Sequence, residues 1–105
     1  MGKKTAELTG IVLDWAVGYV MGEKLRILER QIVWPEDYSP PTNWAQGGPI
    51  IERERIDVLY EHDLRWIAVP QKGIESYGPT PLIAAMRCYV ASKLGDEVEI
   101  PEALK

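Results

Sequence analysis

The chain has 105 residues and a net charge of −4, with 46% apolar and 27% charged residues. That is length for one domain with its own core, since a chain this size buries roughly 65% of its unfolded surface, and the composition is not that of a disordered polymer. A single cysteine excludes an internal disulfide framework, one cysteine with one histidine argues against a structural zinc site, and the acidic balance argues against general nucleic-acid binding.

Met1-Gly2-Lys3-Lys4 followed by an apolar stretch has the outline of a signal peptide, but Glu7 and Asp14 interrupt the stretch and no small-x-small cleavage site follows. The run from Leu8 to Met21 is too short for a membrane span, and Ala6 stands where a myristoylation motif wants Ser or Thr. With the lone Cys88, these features predict a protein of a reducing cytoplasm that does not meet a membrane.

The spacing predicts a first helix from about Thr5 to Met21, with Leu8, Val12, Trp15, Ala16 and Tyr19 on one face, Thr5 as N-cap and Gly22 as the stop. Leu13, Val17 and Val20 widen the apolar surface beyond half the circumference, so this helix is expected to be covered from two directions. Between Leu25 and Trp34 both periods fit. Leu28, Ile32 and Trp34 share strand parity, while Leu25, Leu28 and Ile32 suit a helix; the β-rich end before Pro35 favours a strand. Tyr38 to Pro49 holds three prolines and two glycines and reads as a long irregular loop, of the kind that often carries function. Pro49 then opens a short helix through Ile50, Ile51 and Glu52, or a strand continues toward Ile56.

Ile56 to Tyr60 and Leu64 to Val69 read as a β-hairpin around the turn Glu61-His62-Asp63, with Gln71 to Gly78 a loop. A second helix is predicted after Gly78-Pro79-Thr80-Pro81, with Thr80 as N-cap, Pro81 at the first helical position and Gly95 as the stop. Leu82, Ile83, Met86, Tyr89, Val90 and Leu94 form its apolar stripe. Ala84, Cys88 and Ala91 form a small-residue face for helix one or a partner subunit. Asp96 to Ile100 suits a short final strand, and the chain from about residue 101 is expected to be a tail. The sum is a single α+β domain over 1–105: two main helices packed with a small, mostly antiparallel sheet of about three strands, and a homo-oligomer on the strength of the two-sided helices.

No phosphate loop, Cys-x-x-Cys, His-Glu-x-x-His or Gly-x-Ser-x-Gly motif is present, so no catalytic residue, metal or cofactor is expected. A Cys88–His62 nucleophile pair would need a packed thiol to meet a ring from a polar turn. Glu52-Arg53-Glu54-Arg55 reads as a solvated face. The Trp44 segment points to binding. The aromatics are four Trp and five Tyr with no Phe, rings that suit interfaces as well as cores. Gly47 and Gly48 would expose amides, and Gln46 and Asn43 add hydrogen-bonding groups. Arg87 borders the apolar stripe, where it snorkels, pairs with Glu52 or Asp14, or receives an anion. The candidate binding residues are Tyr38, Trp44, Gln46, Gly47, Gly48, Trp66 and Arg87. They suit a small module that binds a partner protein or a small ligand. The rival is a small enzyme on an anionic or nucleotide-like substrate, with Arg87 and the Gly47-Gly48 amides on the anion and Glu52 as base.

Tyr38-Ser-Pro-Pro-Thr-Asn-Trp-Ala-Gln-Gly-Gly-Pro-Ile-Ile-Glu-Arg-Glu and the run from Gly78-Pro-Thr-Pro-Leu-Ile to Lys-Leu-Gly-Asp-Glu-Val-Glu resemble the NinX-like family of phage and prophage proteins. Thr5-Ala-Glu-Leu-Thr-Gly with Leu13-Asp-Trp-Ala-Val fits the same pattern. The resemblance covers the chain except 22–37. It implies a phage accessory protein working in a bacterial cytoplasm and supplies no catalytic residue. It marks Trp44, Gln46, Gly47, Gly48, Pro49, Trp66 and Arg87 as pattern positions.

Overall fold

The computed structural model describes residues 2–35, 37–63 and 65–105. Among them the elements run β1 (Lys3–Lys4), α1 (Gly10–Met21), β2 (Arg26–Leu28), β3 (Gln31–Trp34), α2 (Trp44–Glu54), β4 (Asp57–Glu61), β5 (Arg65–Val69), β6 (Ser76–Gly78), α3 (Pro81–Leu94) and β7 (Glu97–Val98), with 3-10 turns at Thr5–Glu7 and Glu102–Leu104. The fold is α+β, but with three helices and three small antiparallel sheets, ordered β1-β7, β2-β3 and β4-β5-β6, where two helices and one sheet were expected. None of the helices in the described residues is long and apolar enough to cross a membrane.

Helix α3 is the centre. Thr80 Oγ1 accepts from Ile83 N at 3.1 Å, and Pro81, whose missing N–H would be unpaired anyway, starts the helix. Leu82, Ala84, Ala85, Met86, Cys88, Tyr89 and Val90 are all buried, so both of its faces are covered within one chain. It packs against α1, α2 and the β4-β5-β6 sheet. A Cβ on Gly78 would stand 2.7 Å from Ala84 N, which shows how closely β6 lies on the small-residue face. Burying each large side chain here contributes roughly 1.5–3 kcal/mol.

Helix α1 starts five residues later than expected. Thr5 is no N-cap: it is buried in a 3-10 turn, its hydroxyl shared between Gly95 O (3.0 Å) and Asp96 O (3.2 Å), while its N–H donates to Asp96 O at 2.8 Å. The N-terminal segment is thus clasped to the end of α3, and Lys3–Lys4 extends the clasp as a ladder with Glu97–Val98. Gly22 stops α1 in the left-handed region (φ 76°), as its position suggested.

The single strand expected before Pro35 is a hairpin. Glu29 and Arg30 both take positive φ (49° and 63°), the primed turn that matches strand twist, and β2 and β3 pair on either side. Neither residue is Gly, Asn or Asp, so the turn left no ordinary signal. The β4–β5 hairpin stands where predicted, with Asp57↔Val69 through Glu61↔Arg65 in register; the start proposed at Leu64 lies outside the described residues. Ser76–Gly78, expected as loop, is the third strand, pairing Trp66↔Gly78. The expected tail is docked: Leu104 is 2% exposed and its carbonyl accepts from Arg30 Nη1.

The largest departure is α2. Gly47, Gly48 and Pro49, expected in a loop ending at Pro49, lie inside the helix, which begins at Trp44. Two interior glycines cost about 1 kcal/mol each and an interior proline about 3 relative to alanine, and Pro49 leaves the carbonyl of Ala45 without its partner. Tertiary context overrides that propensity. Asn43 caps the helix by accepting from Ala45 N (2.9 Å), Ile50 is buried against the core, and Ile56 N closes the far end on Ile51 O (3.1 Å).

Candidate functional site

The 37–43 segment, held between α1 and α2, forms one wall of an open groove of about 650 Å³. Ile11 and Asp14, one turn apart on α1, line its floor. Arg30, Gln31 and Ile32 of the β2–β3 hairpin line the opposite side, and Trp44 stands at the rim at the first position of α2. Its indole is 58% exposed. Trp44 also borders a smaller cavity of about 220 Å³, with Pro41, Pro81, Leu82 and Ile83.

Ser39 organises this wall. Its hydroxyl donates to Asp14 Oδ1 at 2.8 Å, its N–H donates to Gln46 Oε1 at 2.6 Å, and its carbonyl accepts from Thr42 N (3.0 Å) and Asn43 N (2.9 Å). With the Ser39 proton committed to Asp14, Thr42 is the donor in the 2.6 Å contact between the two hydroxyls. Burial drives the Asp14 pKa from 3.8 up to about 6, the Ser39 hydrogen bond pulling the other way. Asp14 is therefore a half-buried carboxyl, without an ion-pair partner among the described residues, in a groove that an exposed indole also lines. Burial likewise raises the Tyr38 phenol, with Glu23, Tyr89 and Asp14 adding to the shift. Its hydroxyl points to Met21 Sδ at 3.8 Å.

Of the sequence candidates, Tyr38 and Trp44 line the groove and the others do not. Gln46 is a tie: besides accepting from Ser39 N, it donates to Asp37 O at 2.8 Å. Gly47 is buried, its amide spent on Asn43 O (2.8 Å), and Gly48 lies inside the helix. Neither offers an amide to a ligand. Trp66 belongs to the sheet, edge-on to Tyr60 with ring centroids 5.2 Å apart. Arg87 pairs with neither Glu52 nor Asp14. It donates to Leu8 O and Tyr77 O, each at 2.8 Å, and burial lowers its pKa. The arrangement required by the enzymatic rival is therefore not assembled.

Cys88 is buried in α3, its thiol pushed up to about 11, while His62 sits in an exposed turn bonded to Asp63 at 2.8 Å. Glu52-Arg53-Glu54-Arg55 is only in part a solvated face. Arg53 reaches Tyr89 OH at 3.1 Å, and Glu54 pairs with Lys93 at 3.1 Å, so the run also ties α2 to α3. Among the described residues no three His, Cys, Asp or Glu side chains gather as a metal-ligand set.

Sequence reasoning missed Asp14, Ser39 and Thr42 as groove residues. Asp14 carried a usable signal, a lone carboxylate among the apolar residues of α1, which burial then shifts.

No curated protein matches the chain. A family model described as "Bacteriophage P22, NinX" matches residues 4–93, which include every residue lining the groove, and the chain therefore belongs to the NinX phage family.

Proposed function

We propose that this protein is a phage accessory binding module, working in the bacterial cytoplasm, whose groove between α1, the β2–β3 hairpin and the 37–44 segment takes a small ligand or a segment of a host or phage protein. The observation that carries the reading is Asp14. A carboxyl pushed up to about 6 by burial costs stability at neutral pH, and here it faces an open groove beside an exposed indole and two hydroxyls. A ligand that stacks on Trp44 and donates a hydrogen bond to Asp14 offsets both exposures. The enzymatic alternative has less support, because the Arg87 guanidinium is tied to two backbone carbonyls and the Gly47 amide is used within α2. A homo-oligomer belongs to the same proposal, with the edge strand β4, whose Leu59 and Tyr60 are exposed on opposite faces of the sheet, as its contact. A sedimentation mass of one chain removes that part.

The test compares affinity capture from phage-infected cells, and thermal shifts across a panel of small polar metabolites, for the native chain, Trp44→Ala and an Ile74→Ala control at another exposed apolar position. Loss of binding in Trp44→Ala alone supports the reading. Identical profiles for all three overturn it.

A further inference from the structure

We propose a second site, sharing no lining residue with the groove: the cavity between α1 and β7 holds an arginine or lysine side chain of a basic polypeptide segment. Trp15 and Tyr19, one helical turn apart on α1, stack with ring centroids 5.4 Å apart and planes at 28°. Trp15 packs on the core and is partly buried, while Tyr19 is 59% exposed, so the ring that stacks on Trp15 carries the pair's open face to solvent. Leu94 and Val98 line the same cavity of about 260 Å³, and Glu97 and Glu99 complete it.

Each part suits a long cationic side chain. The aliphatic stem covers Leu94 and Val98, the charged head meets the ring quadrupoles, and the carboxylates supply hydrogen-bond acceptors. Among the described residues neither glutamate is in an ion pair, although Lys4 lies opposite Glu97 in the β1–β7 ladder. The same charges exclude other occupants. A second copy docked with its two-fold axis at this cavity would set Glu97 and Glu99 against their own copies, and a phosphate-bearing ligand would meet like charge.

The probe is the peptide acetyl-Gly-Arg-Gly-Arg-Gly-amide, titrated into the nitrogen-15-labelled full chain, with its citrulline counterpart as the neutral isostere. Saturable shifts are expected at the Trp15 indole N–H and at the amides of residues 97–99, weakening as salt rises. The citrulline peptide should bind about fivefold more weakly or worse, as should the arginine peptide to Tyr19→Ala, from loss of the charge–ring attraction. Glu99→Gln, an exposed change, should weaken binding without altering the melting temperature. Equal binding of the two peptides, shifts centred on Trp44 in place of Trp15, or no saturable shift overturns the proposal. So does a concentration-dependent dimer mass that Tyr19→Ala abolishes, which would assign the surface to a second copy. Only shifts centred on Trp44 would bear on the groove as well; the other outcomes concern this cavity alone.

Discussion

Ser39 donates its hydroxyl proton to Asp14 across a 2.8 Å contact, so one hydrogen bond joins α1 to the wall of the groove while burial raises the pKa of the carboxyl that receives it. The folded-state pKa of about 6 lies above the unfolded value of 3.8. The native state therefore holds the extra proton across that window, and stability from this group is present at low pH and lost as pH rises through about 6. Asp14→Asn keeps an acceptor for Ser39 and removes the charge. We expect it to stabilise the protein by about 1 kcal/mol at pH 8, after discounting for the solvent that still reaches the carboxyl. The gain should shrink through pH 6 and vanish near pH 4. Urea midpoints of both proteins across that range check the sign; a variant less stable at pH 8 refutes it.

Gly47 and Gly48 are neighbours with opposite expectations. A Cβ on Gly47 would lie 2.5 Å from Pro40 O and 2.6 Å from Leu82 Cδ2, and the carbonyl belongs to backbone that cannot step aside cheaply. Gly47→Ala should cost about 1–3 kcal/mol through overpacking. A Cβ on Gly48 meets nothing within 4 Å, so Gly48→Ala should stabilise by up to about 1 kcal/mol through helix propensity. Melting temperatures that move in opposite directions confirm the placement of both residues inside α2.

The parts of the fold legible in the sequence were those where local signals and tertiary packing agree. Thr80 and Pro81 start α3, Gly22 stops α1, and alternation marks the β4–β5 hairpin. The misreadings came where they conflict. Gly47-Gly48-Pro49 favours a loop, yet Asn43, Gln46 and buried Ile50 hold those residues in a helix. Glu29-Arg30 turns a hairpin with residues that seldom do so, and Leu104 docks a segment whose composition suggests a tail. At the groove, Tyr38 and Trp44 were visible as aromatics in a proline-rich stretch. Asp14 and Ser39 were not, because 25 residues separate them and only the fold makes them neighbours.

Arg55 ends α2 at φ 53°, a left-handed position that glycine takes without strain. Arg55→Gly should stabilise by about 0.5–1 kcal/mol, and Arg55→Ala, which also removes the charge but keeps a Cβ, should not. Equal effects of the two in chemical denaturation would show that charge, and not backbone strain, governs the position.

Arg87 gives the sharpest test of structure against function among the residues that the sequence singled out. Its Nε and Nη1 serve the carbonyls of Leu8 and Tyr77, binding the segment just before α1 and strand β6 to α3. Burial lowers its pKa, so the guanidinium is held at a desolvation cost that the two carbonyls offset. Arg87→Met keeps the stem and strands both acceptors, and should lose about 2–4 kcal/mol. Arg87→Lys, with a point charge in place of a fork, should recover only part of that. Inorganic phosphate should leave the native melting temperature unchanged, since the guanidinium is already tied to two backbone carbonyls. A tolerated Arg87→Met together with phosphate stabilisation of the native chain would instead make Arg87 a free anion holder, and would restore the enzymatic reading that its present partners argue against.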